Sequence, residues 1–196
     1  MREQVCRLEG RKHMPGESGD SLDLAIENGL SDLAKRPALI SRISGATGAT
    51  YGIRLLQVLS AVQGVEAHLV LTSAARRTPT LETDYTTEQL EAMAHCVHRA
   101  SDIAASISSG SFRAAGMIVA PCSMKTVSGI VTSYSDNLLL RATDVMLKDR
   151  RPLVLLVRET PLHLGHLRLL VQVAEIGAVV ILPCPLSITV QSRCRK

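Results

Sequence analysis

The chain has 196 residues, of which 46% are hydrophobic and 20% charged, so it can build one domain with a real core and is not disordered over most of its length. Its net charge is only +4, and much of the basic excess lies at the two ends, in Arg2, Arg7, Arg11 and Lys12 and again in Arg193, Arg195 and Lys196. Aromatic residues make up 2%, which leaves few platforms for base stacking and argues against a nucleic-acid binder.

Residues 1–37 are polar and rich in charge, and they read as a largely disordered extension with one weakly amphipathic stretch at 21–34. From Ala38 the pattern changes to short apolar runs alternating with helical periodicity. The runs at 38–43, 67–71, 117–120, 153–157 and 178–182 are β-branched or Leu-rich and lack polar alternation, as buried parallel strands do. Helices are predicted between them over 51–62, 86–98, 123–133, 137–147 and 162–175. Strand–helix alternation predicts an α/β fold with a doubly wound parallel sheet in three layers, occupying residues 38–185. Ser41 and Arg42 are unusual for a central strand.

Five cysteines (Cys6, Cys96, Cys122, Cys184, Cys194) show no CxxC spacing. They argue for reduced thiols in a cytoplasmic setting and against a disulfide framework or a zinc site. No apolar run reaches the ~18 residues of a membrane span, and the N-terminus lacks a signal peptide's apolar core.

Three predicted strands end in polar or small residues. Ser44-Gly45-Ala46-Thr47-Gly48 follows the first strand and opens a helix, where free N–H groups and small side chains let an anion approach the backbone. Pro121-Cys122-Ser123-Met124-Lys125-Thr126 and Arg158-Glu159-Thr160-Pro161 close two others. Each alone is explained by turn or cap chemistry, with Ser123 and Thr126 as capping residues. Together they face one crevice at the carboxyl ends of the sheet, where open α/β sheets bind ligands. The Ser/Gly stretch 106–112 reads as a loop, and Arg150 and Arg151 as a solvated helix end. His163 and His166 have no Cys or carboxylate partner at ligand spacing, so no metal is expected.

These motifs, with Leu81-Glu82-Thr83-Asp84 and the run from Arg141 to Lys148, resemble the UbiX family of flavin prenyltransferases over about residues 38–185. The resemblance implies a Rossmann-like (flavodoxin-like) sheet, a homododecamer, and transfer of a dimethylallyl group from dimethylallyl phosphate to reduced FMN. The prenylated FMN serves a UbiD-type decarboxylase in ubiquinone or aromatic acid metabolism. It implies FMN contacts at Gly45, Ala46, Thr47, Thr72, Ser123, Met124, Lys125, Thr126 and Arg158, and a reacting centre flanked by Thr47, Glu82 and Glu159. Arg141, Lys148 and Arg158 would hold phosphate, partly across subunits, and no metal is needed. Residues 186–196 depart from the family as a divergent, shortened tail, with Ile188 where members carry a Tyr that binds the prenyl phosphate. The alternative implied by that departure is an FMN-binding homologue impaired in transfer.

Overall fold

The computed structural model describes residues 38–43, 48–72, 83 and 85–183. The expectations for the extension 1–37, for Gly45, Ala46, Thr47 and Glu82, and for the tail 186–196 lie outside the described residues.

Six parallel strands form one sheet in the order β3-β2-β1-β4-β5-β6. They are β1 (Ala38–Ile43), β2 (Glu66–Leu71), β3 (Cys96–Arg99), β4 (Ala114–Cys122), β5 (Leu153–Val157) and β6 (Val179–Ile181). This is the Rossmann order, and the chain reverses direction across the sheet between β1 and β4. β1 runs unbroken through Ser41 and Arg42, paired with β2 on one side and β4 on the other.

Helices α1 (Ala49–Ala61) and α2 (Thr87–Ala92) lie on one face of the sheet. Helices α3 (Met124–Val131), α4 (Leu138–Lys148) and α5 (Leu164–Glu175) lie on the other, completing three layers. The apolar spacing fixes which helix side turns inward. Ile53, Leu56 and Leu59 of α1 are buried, and the first two pack with Leu69 and Leu71 of β2. On the opposite face Ile40, Met117, Val119, Leu153 and Leu155 meet Val127, Leu139, Met146 and Val173. A side chain such as Leu155, fully removed from water on folding, contributes about 1.5–3 kcal/mol.

One predicted element is corrected. The helix expected over 86–98 ends at Ala92, and Cys96–Arg99 is instead the edge strand β3. Thr86 starts the helix with a capping box, its side chain accepting from Gln89 N while the Gln89 side chain accepts from Thr86 N. The chain then turns, and Cys96, Val97, His98 and Arg99 pair with His68, Leu69, Val70 and Leu71. Pairing with an open strand edge outweighs the local helical pattern. Among the described residues no helix is long and apolar enough to cross a membrane.

Candidate functional site

β1 and β4 lie side by side, and the connections that leave their carboxyl ends run to opposite faces of the sheet, the topology at which an α/β sheet opens a crevice. α1 opens directly after β1, and its N-cap Gly48 has φ +101°, a left-handed conformation that favours glycine. A Cβ at Gly48 would lie 3.2 Å from the Tyr51 ring and 3.8 Å from Cγ of Arg158. The start of α1 therefore lies against the residue that follows β5, across the intervening end of β4. The Arg158 N–H donates to the Cys122 carbonyl at 3.0 Å, tying the ends of β4 and β5 together.

Helix α3 begins at the same edge. Its N-cap Ser123 accepts from Thr126 N–H at 3.4 Å, and the two hydroxyls lie 3.1 Å apart. Met124 and Thr126 are buried, while Lys125 projects into solvent. Pro121 interrupts the regular pairing, and the β4–β5 register shifts between Val119 and Cys122. After β5, residues 157–162 with Leu182 and Pro183 line a cavity of about 400 Å³. Glu159 is exposed at its wall and Arg158 half-buried.

The structure thus gathers Ser123, Met124, Lys125, Thr126, Arg158 and Glu159 at one edge, with Thr72 just beyond the end of β2. Arg141 lies in the first turn of α4, where its guanidinium pairs with Asp144 at 3.0 Å. Lys148 ends α4 and is exposed. Because α4 runs back to the amino end of β5, Lys148 lies at the opposite end of the sheet from Arg158. Two helix N-termini and a half-buried guanidinium on one edge are a donor set for an anion.

The sequence matches the Flavoprotein family over residues 27–192. It is 64% identical to the flavin prenyltransferase UbiX of Escherichia coli K12 over 147 residues, 75% of this chain and 78% of the relative. The chain belongs to the UbiX flavin prenyltransferase family. Two solved UbiX-like structures share its fold. A dodecameric FMN-dependent Ubix-like decarboxylase from Escherichia coli O157:H7 superposes with a TM-score of 0.74 at 46% identity, covering 77% of this chain and 82% of that one. AnUbiX (PadA1), in complex with FMN and dimethylallyl pyrophosphate, gives 0.74 at 48% identity, covering 76% and 79%. The fold, the family and the FMN cofactor expected from the motifs agree with these relatives.

Sequence reasoning missed one feature of this UbiX-family chain, at the amino ends of β4 and β5. Arg151, read as solvated, donates through Nη1 to the Phe112 carbonyl and through Nη2 to the Gly110 carbonyl at 3.0 Å. Asp149 accepts from the same Nη2 at 3.0 Å and orients the fork. The Ser/Gly stretch 106–112 is therefore clamped from the α4–β5 turn. His163 has a structural role: its Nδ1 caps α5, accepting from Gly165 N and His166 N.

Proposed function

We propose that this chain transfers the dimethylallyl group of dimethylallyl phosphate to reduced FMN, yielding prenylated FMN. The observation that carries the reading is the convergence of Gly48, Cys122 and Arg158 at the carboxyl ends of three strands, in a chain this similar to UbiX. When bound, reduced FMN supplies the nucleophile, and the allylic phosphate supplies the carbon it attacks.

The protein's part is placement and charge. The N-termini of α1 and α3, with Gly45, Ala46 and Thr47 before α1 and Ser123 to Thr126 at α3, hold the flavin and its phosphate. Thr72 borders the same pocket, and Arg158 neutralises negative charge there. Phosphate leaves poorly unless its charge is met, so basic groups aimed at it lower the barrier without covalent chemistry. Arg158 serves this role within the protomer. Lys148, at the far end of its own sheet, serves it only from a neighbouring copy, and Arg141 accompanies it on α4. This reading makes the working unit a homo-oligomer, which we take to be a dodecamer. Glu159, exposed beside the cavity, is the residue suited to move a proton at the departing phosphate, with Glu82 and Thr47 as its companions. We further infer a cytoplasmic setting and a UbiD-type decarboxylase as acceptor of the product.

An anaerobic single-turnover experiment with reduced FMN and dimethylallyl phosphate tests this. A change in the flavin spectrum and release of phosphate are expected. Tight FMN binding with an unchanged spectrum would sink the transfer reading and leave the binding-only alternative. Arg158→Ala is expected to slow turnover by about 100-fold, within the range for loss of one charge-stabilising donor.

A further inference from the structure

Away from the crevice, the edge of the sheet carries a cluster that the proposed activity does not use. His68 on β2 is the register partner of Cys96 on β3, and Val70 that of His98. Parallel partners share a face, and residues two apart on a strand share one too, so His68, Cys96 and His98 project to the same side. His68 Nδ1 lies 3.0 Å from His98 Nε2, and the Cys96 thiol is within 4.8 Å of both ligand nitrogens. Both imidazoles are buried, and Cys96 is half-buried at the sheet edge.

We propose that His68, Cys96 and His98 form a binding site for a thiophilic d¹⁰ cation, Zn²⁺ in the first instance, with its fourth position open to an exogenous ligand. A tetrahedral ion with bonds of about 2.0–2.1 Å to nitrogen needs ligand nitrogens about 3.3 Å apart, close to the separation present. Two imidazoles and one thiolate suit Zn²⁺ rather than Mg²⁺ or Ca²⁺, which take oxygen ligands.

The surroundings prepare the ligands. Glu66 Oε2 lies 3.8 Å from His68 Nε2, the nitrogen turned away from the cluster. A carboxylate there favours the tautomer with hydrogen on Nε2 and the lone pair on Nδ1, the arrangement of a carboxylate–histidine–metal triad. Phe112 packs edge-on against His68 at 5.0 Å and fixes the ring. Binding moves the shared imidazole hydrogen to an outward nitrogen, and the Cys96 thiol gives its proton to solvent as the Zn–S bond forms. The bland alternative is a hydrogen-bonded pair of core histidines beside a passive cysteine. In the sequence these residues are Cys96-x-His98 and His68, 28 residues upstream of Cys96.

The test is metal binding to the full chain. The metal-stripped protein is titrated with Zn²⁺, and in parallel with Co²⁺ as a spectroscopic probe. One Zn²⁺ per protomer and a thiolate-to-cobalt charge-transfer band in the near ultraviolet are expected. Cys96→Ser should weaken Zn²⁺ binding at least 10-fold and abolish the band, while FMN binding by the same variant stays unchanged and reports that it is folded. Glu66→Gln should weaken Zn²⁺ roughly 10-fold by removing the carboxylate that favours the His68 tautomer. No charge-transfer band in the unaltered chain, or Zn²⁺ binding indifferent to Cys96→Ser, as at the His163–His166 pair, overturns the proposal.

Discussion

Ser41 is fully buried in β1, and its hydroxyl has no hydrogen-bond partner among the described residues. Its strand neighbours in register are Leu69 and Ile118, so the group faces apolar surroundings. A buried polar group left unpaired costs about 1–3 kcal/mol of desolvation. Ser41→Ala removes the hydroxyl with little change in volume. It is expected to raise stability by about 1 kcal/mol, or ~2–4 °C in melting temperature. An unchanged or lower midpoint in calorimetry would show that the hydroxyl is satisfied in solution. Gly48 is the opposite case. Its φ of +101° and the Tyr51 ring 3.2 Å from an added Cβ leave no room for a side chain. Gly48→Ala should destabilise by about 1–2 kcal/mol, the cost of holding an L-residue left-handed, visible as a lower urea midpoint.

Helix α4 carries core residues Leu138, Leu139, Ala142, Val145 and Met146, and Asn137 starts it by accepting from Leu140 N–H at 3.1 Å. Asn137→Ala leaves that donor without its cap and should cost about 1 kcal/mol, measured by equilibrium unfolding. This helix was legible in the sequence because its apolar spacing and its capping residue are both local. β5 was equally legible, since Leu153–Val157 is an uninterrupted apolar run. β3 was not: Cys96-Val97-His98-Arg99 has no signal that separates it from the helix before it, and its identity comes from pairing with β2. The side-chain positions divide the same way. Ser123 and Arg158 could be placed because they punctuate strand ends, whereas the clamp by Arg151 joins groups 39 and 41 residues apart and depends on the finished fold. Arg151→Lys keeps the charge and loses the fork. Faster amide hydrogen exchange across residues 109–113 is expected, with a stability loss of about 1.5–3 kcal/mol. Unchanged exchange there would mean the loop holds itself.

At the scale of the molecule, the described protomer leaves apolar surface in two places. Along α5, Leu164 at 61% exposure, Leu167 and Val171 at 57% form a stripe at helical spacing on the outer side. On the sheet, Val179, Ile181 and Leu182 are exposed on and just after β6, and Ile118, Val154 and Leu156 are only half-buried. By register, Ile118, Val154 and Val179 line one face, the face opposite α3, α4 and α5. Contiguous apolar surface of this kind marks an interaction site on a soluble protein. Association would cover it at ~25 cal/mol per Å² removed from water. The proposed charge stabilisation needs such association, because Lys148 lies at the opposite end of its own sheet from Arg158. Association that covers this surface stabilises the protomer, so its melting temperature is expected to rise with protein concentration. Val171→Glu places a charge in the middle of the α5 stripe. Sedimentation is expected to show an oligomer for the unaltered chain and smaller species for the variant, with a lower melting temperature and loss of transfer activity in parallel. If the unaltered chain sediments as a monomer whose melting temperature ignores concentration, the stripe is not an interface, and phosphate binding across subunits fails with it.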